Sequence, residues 1–108
     1  MHVEGWADTG WPVLQRSSPT LLVLGRPTCD DCQRWHAALS QWQTEVAGVR
    51  IVELNLRSPE GELFKAAQPW TQHIDWVPYN LLYVNGETVA EWSGESLDVL
   101  EEALVSRA

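Results

Sequence analysis

The chain reads as one α/β domain over residues 1–108, a central mixed sheet flanked by helices. Three observations predict this. Two aliphatic runs, Thr20-Leu21-Leu22-Val23-Leu24 and residues 49–56, are separated by a helical pattern, and a crossover of that length makes the two strands parallel. Further on, Asn85-Gly86 stands between two strand-like runs and signals a tight antiparallel hairpin. The chain then closes with an amphipathic helical pattern.

Taken in order, residues 5–18 are broken by Gly10 and Pro12, which leaves room for a short helix at residues 13–16. Cys32, Trp35, Leu39, Trp42 and Val46 recur at helical spacing, predicting a helix over residues 30–47 with Gly48 as its stop. Ser58-Pro59-Glu60 is a helix start with proline at the first helical position, and Pro69 bounds that helix. Residues 80–84 and 87–92 form the hairpin. Ser96 caps the last helix, in which Leu97, Leu100, Ala103 and Leu104 face inward while Asp98, Glu101 and Glu102 stay in water.

Composition narrows the function. A formal net charge of −8 with only 7 basic residues, scattered along the chain, argues against nucleic acid or an anionic membrane as partner. No stretch approaches the ~18 consecutive apolar residues of a spanning helix, and residues 1–20 lack the basic start and apolar centre of a secretory signal. A cytoplasmic location is therefore expected, and there a close cysteine pair points to catalysis, redox sensing or metal binding rather than a structural disulfide.

The only two cysteines stand in Cys29-Asp30-Asp31-Cys32, between the first strand and the first long helix. At a helix N-terminus the unpaired N–H groups and the positive end of the dipole favour a thiolate, which makes Cys29 the expected nucleophile and Cys32, one turn in, its less exposed partner. Asp30 and Asp31 work against a thiolate at Cys29, whereas Arg26 and Arg34 support it. Where the acids prevail the couple is reducing.

The order of elements, this Cys-x-x-Cys, and Trp76-Val77-Pro78-Tyr79-Asn80 just before the hairpin together resemble the thioredoxin superfamily over residues 20–108. The resemblance implies a thioredoxin-like fold and a protein disulfide oxidoreductase with a redox-active Cys29–Cys32 disulfide and no further cofactor. It also implies a cis Pro78 facing the dithiol, a Val77 backbone that pairs with an extended substrate segment, and Gly94 closing the substrate groove. Catalysis is assigned on this basis to Cys29 and Cys32, and substrate contact to Thr28, Trp76, Val77 and Pro78. The implied partners are disulfide-containing proteins, with a reductase or glutathione as electron donor.

Arg26-Pro27-Thr28-Cys29 is similar to the glutaredoxin pattern, in which a basic residue three before the first cysteine binds a glutathione carboxylate, but residues 89–94 lack the paired glycines of that family. Against thioredoxin, Val23 replaces the buried acid six residues before the first cysteine, Ala37 replaces a kinking proline, and residues 55–78 are several residues longer. A non-catalytic module holding a partner through Val77 and nearby tryptophans is the alternative from another class. A metal reading would use Cys29, Cys32 and His36, with His73 as fourth ligand. Most of the seven tryptophans are expected in the core, with Trp76 divided between packing and partner contact.

Overall fold

The computed structural model describes residues 1–107, with the Arg107 side chain outside the description. The elements run β1 (Val3–Gly5), α1 (Trp6–Thr9), a 3-10 turn (Trp11–Gln15), β2 (Thr20–Gly25), α2 (Asp30–Gln41), β3 (Arg50–Asn55), α3 (Pro59–Ala67), a second 3-10 turn (Pro69–His73), β4 (Tyr79–Val84), β5 (Glu87–Ser93) and α4 (Leu97–Arg107). They build a five-stranded sheet in the order β1-β3-β2-β4-β5. β1 and β2 pair parallel to β3, while β2–β4 and β4–β5 are antiparallel.

The two-residue period of a strand sorts the core into two layers. Leu22 and Leu24 of β2 point to one side, where they join Trp6, Val13, Leu14 and Phe64 beneath α1, the first 3-10 turn and α3. Leu21 and Val23 point to the other, where they meet Trp35 and Leu39 of α2 and Leu100 and Leu104 of α4. With both faces covered, β2 is buried through Leu24 and reads in the sequence as an unbroken apolar run rather than an alternating one.

The hairpin forms as expected, with Asn85 at φ 55° and Gly86 at φ 80°, both in the left-handed region that the mirror-image turn requires. Its tip docks on the N-terminal segment, where Asn85 N–H donates to Arg16 O at 2.8 Å and Gly86 N–H to Leu14 O at 2.9 Å. Ser58 caps α3 by accepting from Gly61 N–H at 3.0 Å, and Ser96 accepts from Val99 N–H at 3.2 Å at the start of α4.

Two expectations are corrected. The helix expected over residues 30–47 ends at Gln41, and Trp42 turns into extended backbone. Its orphan carbonyls find partners there: the Met1 ammonium donates to Leu39 O, Ser40 O and Trp42 O at 2.7–3.1 Å, and the Trp42 indole N–H is fixed on Glu101 at 3.0 Å. Val46 still packs against the α2/α4 layer, so its apolar spacing reflects burial in a loop, and Gly48 ends that loop rather than the helix. The helix expected at residues 13–16 is a 3-10 turn starting at Trp11. One element was not expected at all: β1 adds a strand to the sheet through Val3 to Gly5, pinned by the Glu4–Arg50 ion pair.

Candidate active site

The β2–α2 connection places Cys29 as the N-cap of α2 in extended backbone at φ −93°, with its Sγ accepting from Cys32 N–H at 3.2 Å. A sulfur in that position satisfies a first-turn N–H and sits at the positive end of the helix dipole. The loop is closed by Cys29 N–H donating to Arg26 O at 3.3 Å and by the Gln33 side chain donating to Pro27 O at 3.0 Å. Both cysteines are free thiols, each half-buried.

Across from the dithiol lies the loop before β4, with a cis Val77–Pro78 bond. The Cys29 thiol donates to Val77 O at 3.8 Å, so this loop faces the cysteine pair. Pro78 is held from behind, its carbonyl accepting from Gly94 N–H at 2.8 Å. Asn80 sets the depth of the arrangement. Its Oδ1 accepts from the buried Trp35 indole at 2.7 Å, and its Nδ2 donates to Trp92 O at 3.3 Å and Gly94 O at 3.0 Å, joining α2, β4, β5 and the Gly94 turn through one side chain.

An open cleft of about 310 Å³ is lined by Arg26, Thr28, Cys29, Asp31, Trp76 and Val77, together with Asp75. It brings together four of the six residues singled out in the sequence. Trp76 is 63% exposed there, so most of its surface stands open to the cleft and solvent. Pro78 is buried beneath the cleft, and Cys32 faces a separate cavity of about 160 Å³ that it shares with Val23, Gly25, Arg26 and Glu53. Gly25 makes room for that sulfur, since a Cβ at this position would stand 3.0 Å from Cys32 Sγ.

Burial, and then the hydrogen bond with Cys29, push the Cys32 thiol from an ordinary 9.0 up to about 11. It keeps its proton at neutral pH. Arg34, expected to offset the acids at the site, is instead engaged by Asp31 and Glu95, which leaves Arg26 as the cation in the cleft. Asp75 was missed in the sequence, although its place beside Trp76, two residues before Val77, was the available signal. Glu53 was missed as well, as a lone charge inside the aliphatic run Ile51-Val52-Glu53-Leu54.

The metal arrangement does not assemble. His36 is half-exposed with its Nδ1 at 2.6 Å from Glu53 Oε1, His73 lines a different pocket beside Trp70 and Tyr79, and among the described residues no group of three or more His, Cys, Asp or Glu comes together. Among the described residues, no helix is long and apolar enough to cross a membrane.

No family model matches the sequence, and no curated protein matches it. Solved structures do resemble it. Thioredoxin f2 of Chlamydomonas reinhardtii is 21% identical with a TM-score of 0.77, covering 98% of this chain and 96% of its own. The long form of spinach chloroplast thioredoxin f is 22% identical with a TM-score of 0.79, covering 98% and 87%. Oxidised thioredoxin O2 of Arabidopsis thaliana is 14% identical with a TM-score of 0.72, covering 96% and 92%. At these identities the likeness speaks for architecture, and on that ground the chain has the thioredoxin fold, with a Cys-x-x-Cys pair where its first long helix begins.

Proposed function

We propose that the chain is a thiol–disulfide oxidoreductase that reduces protein disulfides through Cys29 and Cys32. The observation that carries this reading is the Cys29 sulfur itself, which caps α2, lies 3.2 Å from Cys32 N, and opens onto a cleft walled by Thr28, Trp76 and Val77. In the first step the Cys29 thiolate attacks one sulfur of the substrate disulfide and the other leaves as a thiolate. Cys32 then attacks Cys29 Sγ, and the second substrate sulfur departs. The substrate gains two electrons and the protein is left with a Cys29–Cys32 disulfide, recharged by a reductase or by glutathione. Trp76 supplies a flat apolar contact to the substrate, and the Val77 backbone beside Pro78 aligns its chain. We place the protein in the cytoplasm, where a thiol pool keeps such a pair reduced.

The test is substitution of each sulfur. Cys29→Ser abolishes reduction of an insulin-type disulfide substrate, while Cys32→Ser halts the reaction at a mixed disulfide that mass spectrometry detects as a covalent adduct. Full activity in Cys29→Ser refutes the reading, whereas a native chain that reduces no disulfide, with partner binding that persists in Cys29→Ser, favours the binding module. Arg26 in the cleft favours one second reading, a glutathione-linked reductase. The reduction potential separates the two: a value near about −270 mV marks thioredoxin-like chemistry and one near about −200 to −230 mV glutathione-linked chemistry.

A further inference from the structure

In the resolving step Cys32 must lose its proton, and its own environment opposes this. Six residues before Cys29 stands Val23, apolar and 4% exposed. The neighbouring strand brings a carboxylate to the same cavity. Val23 of β2 and Glu53 of β3 are partners in the parallel pairing, and both line the 160 Å³ space that Cys32 faces, along with Arg26 and Asn55. Arg26, Glu53 and Asn55 give this space polar groups beside its apolar ones, and its volume is enough for water. His36 lies one turn beyond Cys32 on α2 and engages Glu53 Oε1 through Nδ1 at 2.6 Å, which orients the carboxylate and leaves its second oxygen for another partner.

We propose that Glu53 accepts the Cys32 proton through water held in this cavity, with His36 as its positioning residue. The inference rests on the exchange reaction proposed above. With Cys29 joined to substrate, the Cys32 S–H proton passes through water to the Glu53 carboxylate, and the Cys32 sulfur forms a bond to Cys29 Sγ. The bond between Cys29 and the substrate sulfur breaks, and the substrate leaves as a thiolate that takes its proton from Glu53 or solvent. The dithiol is oxidised by two electrons and the substrate disulfide is reduced by two. Of the charged and titratable groups around Cys32, Arg26 from the β2–α2 loop favours the thiolate without taking a proton, the Cys29 sulfur disfavours it, and Glu53 is the carboxylate in the cavity lining.

The experiment mixes the reduced full-length chain with the symmetrical disulfide of thionitrobenzoic acid in a stopped-flow instrument. One coloured thiolate is released when Cys29 attacks and a second when Cys32 resolves the adduct, so the ratio of the two rates isolates the resolving step. The native chain should show a second phase that levels off across the neutral range. Glu53→Gln should slow that phase about 10²-fold at neutral pH, within the usual range for general base catalysis. The deficit should shrink as alkali ionises Cys32 directly, Glu53→Asp should restore part of the rate, and His36→Gln should give a smaller loss of the same pH form. An equal slowing at every pH, or none, overturns the proposal. So does a native second phase that climbs about tenfold per pH unit toward the thiol's own ionisation, a result that needs no variant to fold. Absence of a second release from the native chain at any pH would instead defeat the exchange reaction itself.

Discussion

At Cys32, burial does two things at once: it hides the sulfur behind Cys29 and keeps it protonated until the adduct has formed. With the thiol raised from 9.0 to about 11, iodoacetamide should label Cys29 alone at neutral pH and reach Cys32 only as the solution nears pH 11, which peptide mass mapping resolves. The same shift has a stability consequence. A folded-state value above the unfolded one means that the protonated thiol favours the folded state, fully below pH 9.0 and progressively less up to about 11. Urea midpoints of the reduced protein, compared with Cys32→Ser, should therefore converge across that interval. Which residues surround the sulfurs was unevenly legible. Cys29 announces itself by its spacing from Cys32, Val77 and Pro78 come only through the family resemblance, and all three lie at the dithiol. Glu53 does not, because its relation to Cys32 depends on the register of two strands 30 residues apart, and no local pattern encodes that register.

Among the elements, α3 sits hard against the end of β3. Gly61 in its first turn is buried against the end of β3, and a Cβ there would overlap the Asn55 carbonyl oxygen and come within 2.7 Å of the Leu56 backbone. Gly61→Ala should therefore cost about 1–3 kcal/mol or more, since backbone cannot swing aside as a side chain can, and a denaturant titration at constant m-value would show it. Unchanged stability would mean that α3 has slack to slide. The elements that were legible, β2, β3, α3, the hairpin and α4, share long apolar patterns, a helix start such as Ser58-Pro59 or a demanding turn such as Asn85-Gly86. Those that were not are short or settled from outside. β1 has three residues, too few to show a period, and α2 stops at Gln41 because Met1, Glu101 and the loop provide for its end, none of which a helical wheel contains.

For the whole molecule, a formal net charge of −8, with Asp75 in the cleft wall across from Arg26, gives a field that attracts cations. A disulfide peptide flanked by lysines should be reduced faster at low ionic strength than one flanked by glutamates, and the preference should fade in 1 M salt, where the Debye length is about 3 Å. Initial rates for the two peptides across a salt series decide it. The sheet also ends in open backbone on both sides, at the three residues of β1 and along the seven of β5. The β5 edge is guarded by charge, since Glu87 and Glu91 are both exposed along it. A second copy laid against that edge would set carboxylate beside carboxylate at neutral pH. Acid removes this repulsion while leaving the edge N–H and C=O groups unpaired, so acidification is the condition under which separate chains become able to stack into a shared sheet.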